Sequence, residues 1–81
     1  MQEPDNKEGN YYVSVRDGSR TGFLLGPFYN NHQAALDMVD RVRVKAQEVD
    51  PRAHFYGFGT LRVDKDVYNK LGVLNKFFGM E

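Results

Sequence analysis

The side chains able to do chemistry in this chain are concentrated in one run, His54-Phe55-Tyr56-Gly57-Phe58-Gly59-Thr60-Leu61-Arg62-Val63. Alternate residues of an extended strand share a face. One face therefore carries Phe55, Gly57, Gly59, Leu61 and Val63, and suits a core beneath a helix. The other carries His54, Tyr56, Phe58, Thr60 and Arg62. Rings bury much area while losing little entropy, and a guanidinium pairs with carboxylates, so these residue types dominate contact surfaces. The expectation is that Tyr12, Arg16, Tyr56, Phe58 and Arg62 form a face that binds a protein partner. In the competing reading the C-terminal tail or a second copy covers these rings; if the tail does, the charged face of the helix is left to bind.

Other chemistry finds little support. His32 and His54 are the only histidines, and no third ligand stands at a metal-site spacing from either. Ser14, Ser19, Thr21 and Thr60 are the only hydroxyl nucleophiles, and none lies in a strained strand-to-helix elbow. Cysteine is absent, which removes thiolate ligands, a cysteine nucleophile and a disulfide scaffold. The reading is a non-enzymatic protein with no metal and no cofactor. Tyr56-Gly57-Phe58-Gly59 resembles part of the ribonucleoprotein motif of RNA-recognition domains, whose strand aromatics stack on bases. The alternative function is therefore a nucleic-acid-binding module using the aromatic and arginine face; the basic cluster Arg16, Arg20 and Arg62, with Lys65, suits phosphate or an acidic protein, and solvated strand ends account for it equally. The motif's leading basic residue is missing here, and the two glycines read as helix-facing positions that let Leu36 or Val39 approach the sheet.

Positioning these side chains falls to a single small α+β domain. At 81 residues the chain is near the size where one core barely suffices, and six Phe and five Tyr add area to it. Eleven Lys and Arg balance eleven Asp and Glu, whereas a dedicated nucleic-acid binder normally carries a basic excess. No apolar run approaches the ~20 residues of a membrane span, and the acidic start Met1-Gln2-Glu3-Pro4-Asp5 is unlike a signal peptide. The expected location is the cytoplasm, away from any membrane.

Residues 1–10 read as a disordered lead-in, and 11–81 as the domain. Tyr11–Arg16 and Thr21–Leu25 form a hairpin through Asp17-Gly18-Ser19-Arg20, and Gly26-Pro27 stops the second strand. Asn31–Glu48 is a helix capped by Asn30 or Asn31, with Ala35, Val39, Val42, Ala46 and Val49 as its stripe, widened by Leu36 and Met38. Asp50-Pro51 ends it, and a strand follows over Ala53–Val63. The right-handed crossover rule then gives ββαβ with a three-stranded antiparallel sheet of order 2-1-3. The tail reads as a short helix to Leu71, then an apolar hook of Val73, Leu74, Phe77 and Phe78 that packs on the protein or in a dimer. A homodimer through a sheet edge or this tail is consistent with the pattern.

Two resemblances add context. Leu25-Gly26-Pro27-Phe28, then Asn31 and Ala34-Ala35, resembles the strand-to-helix turn of sporulation-related repeat domains that bind peptidoglycan, although the start of the chain is unlike a secretion signal. A longer likeness runs through Tyr11–Val15, Arg20–Phe28, Val49–Thr60 and Gly72–Asn75. These blocks resemble small proteins of bacteriophages and prophages of proteobacteria, a family with no established activity. The resemblance implies a phage product that works in the bacterial host by binding and blocking a host protein, including defence machinery such as CRISPR–Cas. It carries over no functional residue.

Overall fold

Asp17 and Arg20 close a two-residue turn at Gly18-Ser19, joining β1 (Asn10–Asp17) to β2 (Arg20–Tyr29). A computed structural model of the chain describes residues 7–64, 66 and 70–80. α1 (His32–Val49) follows, then a 3-10 turn at Pro51–Phe55, β3 (Gly57–Val63) and a second 3-10 turn at Asn75–Phe78. β1 is central and antiparallel to both neighbours, giving the sheet order β2-β1-β3 expected from the sequence. α1 lies across one face and touches all three strands.

The helix starts where the side chain of Asn31 accepts a bond from the Ala34 amide at 3.1 Å, satisfying one of the orphan donors of the first turn. His32, Ala35, Val42 and Ala46 are its buried residues, whereas Val49 is exposed, so the apolar stripe stops a turn early. Arg43 pairs with Asp40 at 3.3 Å, and Asp37 accepts from Gln33 at 2.6 Å. Tyr11, Val13, Leu24, Leu25, Ala53 and Leu74 form the core with Ala35, Val42 and Ala46 of the helix, and Phe28, Tyr56 and Phe58 pack against it.

The third strand corrects the sequence reading twice. Ala53–Phe55 is not strand: Asp50 caps a 3-10 turn by accepting from the Arg52 amide at 3.0 Å, with Pro51 in its first position, and Phe55 is left 89% exposed. The faces of the strand are also reversed. Arg62 lies opposite Tyr11, Thr60 opposite Val13 and Phe58 opposite Val15, which puts Tyr56, Phe58, Thr60 and Arg62 on the helix side. A shift of one residue exchanges every side chain between faces. The rings bury far more apolar area than Gly57 and Gly59, so the core takes the face that carries them. His32 fixes the phase, with its Nε2 2.8 Å from the Thr60 hydroxyl and its ring stacked 4.7 Å from that of Tyr11.

Lys7–Asn10 belong to the fold rather than to a lead-in. Gly9 donates to the Asn30 side chain at 2.8 Å, Asn30 donates back to the Gly9 carbonyl at 2.8 Å, and the Tyr11 hydroxyl donates to the Lys7 carbonyl at 2.7 Å. The lead-in expected over residues 1–6 lies outside the described residues, as does most of the short tail helix expected before Leu71.

The hook wraps the outer edge of β2. Gly72, Val73 and Leu74 donate to the carbonyls of Gly26, Phe23 and Leu24 at 3.2, 3.1 and 2.8 Å. Gly72 is obligatory, because a Cβ there would lie 2.5 Å from the Leu24 backbone. Gly26 is equally constrained: its φ is +142°, a Cβ would fall 2.7 Å from the Tyr12 ring, and its bond to Pro27 is cis. Buried Asn75 then grips the same residue, accepting from the Gly26 amide at 3.0 Å while its Nδ2 donates to the Gly26 carbonyl and, at 3.0 Å, to that of Met80. Leu74 is buried and Phe78 half-buried, but Val73 and Phe77 stay exposed, with Lys45 and Lys76 over the Phe77 ring at 5.2 and 5.3 Å.

Replacing Asn75 by Leu strands the buried Gly26 amide, leaves the Gly26 carbonyl with the Gly72 bond alone, and is expected to cost about 2 kcal/mol in chemical denaturation. Val73→Ala, at an exposed position of the same segment, is expected to stay within about 0.5 kcal/mol of the parent. Equal stability of the two variants would contradict the Asn75 grip.

Candidate protein-binding face

The sheet face opposite α1 is built from alternation along three strands. β1 contributes Tyr12, Ser14 and Arg16; β3 contributes Leu61, Gly59 and Gly57 opposite them in that order; β2 places Phe23 opposite Ser14 and Thr21 opposite Arg16. Tyr12 is removed from this surface, with its ring 4.9 Å from that of Phe23, its hydroxyl donating to the Lys70 carbonyl at 2.7 Å, and no exposed area. What remains is a groove of about 410 Å³ lined by Ser14, Arg16, Thr21 and the whole run Gly57–Leu61, in which Phe58 and Thr60 turn their side chains to the helix side.

The floor of this groove is the unusual part. A Cβ at Gly59 would meet nothing within 4 Å, and one at Gly57 would meet only the Arg16 carbonyl at 3.9 Å. Neither glycine gives the helix room to approach the sheet, because both lie on the far side from it. Glycine in a strand costs roughly 0.5–1 kcal/mol relative to alanine and often marks close approach by another backbone or a ligand. Arg16, on the wall of the groove, is exposed and has no ion-pair partner among the described residues.

Of the five side chains expected to share a binding face, only Arg16 lies on this surface. Tyr12 is buried under the tail. Tyr56 and Phe58 are half-buried on the helix side. Arg62 is on that side too, donating to Asp64 at 2.9 Å and to the Glu8 carbonyl at 3.1 Å. Stacking of bases on Tyr56 and Phe58 would need those rings on the open face, where the groove has glycine instead. Ser14, Thr21, Gly57, Gly59 and Leu61 were missed as a group. Their signal was the polar half of the β1 alternation, Ser14 and Arg16 alternating with Val13 and Val15, which fixes the open side of the neighbouring strands once the register is known.

His54 is exposed, His32 is committed to Tyr11 and Thr60, and among the described residues no three His, Cys, Asp or Glu side chains gather as a metal site. No helix among the described residues is long and apolar enough to cross a membrane. Just before β3, the Arg52 guanidinium and amide hold the Asp50 carboxyl below its ordinary value of 3.8. A depressed carboxylate stabilises the fold above its unfolded value, and that contribution is lost as the pH falls through the lowered one. An NMR titration is expected to show Asp50 ionising below 3.8 and moving upward in Arg52→Ala; an unchanged midpoint in that variant would contradict the guanidinium's hold on the carboxylate. No protein-family model, no curated protein and no solved structure matches the chain.

Proposed function

We propose that this chain is a non-enzymatic binding protein that blocks a host protein by covering part of its surface, with the open sheet face as the contact region. The observation that carries this reading is the glycine-floored groove beside Arg16, which has no ion-pair partner among the described residues. Two strand positions give up side chains that the fold has space to hold, so the stability they forgo has its return in contact with something outside the chain. Arg16 supplies a charge for a carboxylate, and Phe55 adds an exposed ring two residues before β3. Affinity for a partner would centre on this groove, with the surrounding surface excluding water.

Inhibition by such a protein needs no chemistry of its own. Occupying a surface that the partner uses for another purpose is sufficient, and the area required is on the order of 800 Å² on each side. The resemblance to small bacteriophage and prophage proteins supports a bacterial host protein as the target, with defence complexes of the CRISPR–Cas kind among the candidates. A nucleic-acid-binding module is the alternative, and nuclease treatment separates the two.

The test pairs stability with capture from bacterial lysate. Gly59→Val is expected to keep or raise stability by up to about 1 kcal/mol, since a Cβ there has free space and valine suits a strand. The same variant, and Arg16→Glu, are expected to lose the captured protein, with nuclease making no difference. Retention by both folded variants would overturn the reading, and release by nuclease would favour the nucleic-acid alternative.

A further inference from the structure

The two outer edges of the sheet are treated differently. That of β2 is closed three times over: the backbone of Gly72–Leu74 bonds to it, Pro27 removes a donor, and its pairing with β1 is irregular on either side of Val13. β3 has none of these guards. It pairs with β1 in unbroken register from Gly57 to Val63, contains no Lys or Pro, and among the described residues no strand lies on its outer side. An unguarded edge is a template for another strand.

We propose that this edge is where the partner binds, by adding an extended segment antiparallel to β3 that carries a carboxylate opposite Gly57 and a large apolar side chain opposite Gly59. The inference rests on the open-face reading above and gives it a partner chemistry. An added strand lies two strand spacings from β1, about 10 Å. Only Gly57 stands between, and it has no side chain, so Arg16 can extend over it to a Glu or Asp beyond. At Gly59 the vacant space beside Leu61 receives the apolar side chain. Residues two apart share a face, and antiparallel pairing puts the apolar residue first, so the recognised segment reads apolar-x-acidic. Main-chain bonds supply adhesion and the alternate side chains supply selectivity, as in other strand-addition complexes.

A second copy is the competing occupant, and charge disfavours it. With both helices on the same side, β3 of another copy would present Gly57, Gly59, Leu61 and Val63 on the open face. None is a carboxylate, so Arg16 would stay unpaired.

A displayed library of ten-residue peptides, selected on the full chain, tests this. Enrichment of apolar-x-Asp or apolar-x-Glu is expected. Binding of the selected peptide, followed by fluorescence anisotropy, is expected to weaken roughly tenfold or more in Arg16→Glu and to recover when the peptide acid becomes Lys. N-methylation of the amides on one edge of the peptide should abolish binding, while methylation of the opposite edge leaves it intact. Equal tolerance of both methylated series, or no enrichment of the acidic position, would overturn strand addition. So would a dimer in sedimentation that Gly59→Val dissociates, which would make the second copy the occupant. If peptides fail while lysate capture still depends on Gly59 and Arg16, strand addition falls and the open-face reading stands.

Discussion

The grip of Asn75 on Gly26 is the interaction from which the rest of this architecture follows. A side-chain amide has the same donor and acceptor pair as a backbone peptide, so one residue can bond to both polar groups of Gly26, supplying the partner of its amide and a second donor, beside Gly72, to its carbonyl. That grip anchors the tail against β2, and the bonds of Gly72, Val73 and Leu74 extend the closure along the edge. It also keeps the tail across Tyr12, which turns one half of the open face into interior. A three-stranded sheet with a single helix has one apolar layer too few to cover both faces, and the hook supplies part of the second.

The asymmetry that results is the basis of the functional reading. One edge and half of the open face are consumed by the chain itself, and among the described residues the other edge and half are left with a shallow glycine floor, the Arg16 guanidinium and an unbroken strand. These features are neighbours because the register places Gly57 beside Arg16 and Gly59 beside Ser14. Exchanging either glycine with Phe58 would fill the groove with a ring and empty the core below it.

Sequence patterning was enough for the order of elements, because each boundary has a local cause. Asp17-Gly18 makes the turn, Asn31 caps the helix, Asp50-Pro51 ends it, and the crossover rule places β3 beside β1. The phase of β3 had no such local cause. Both of its faces are apolar, and the residues that decide between them, His32 and Tyr11, are remote in sequence and polar in part, so neither reads as core. The error propagated to the site: with the faces exchanged, Tyr56 and Phe58 looked like anchors and the glycines like packing. Asn75 was illegible for a related reason, since an asparagine in an apolar hook looks like a solvated position until its partner 49 residues away is known.

That separation has a consequence for how the chain is made. Synthesis delivers β1 and β2 early, α1 and β3 next, and the segment that closes the β2 edge last. Until residues 72–75 have left the ribosome, the nascent sheet has two open edges and an uncovered Tyr12. The interval is short, but it is the stage at which the protein is stickiest, and it ends when a single amide folds back. Products that stop before Asn75 would carry the earlier state indefinitely, as substrates for chaperones and proteases.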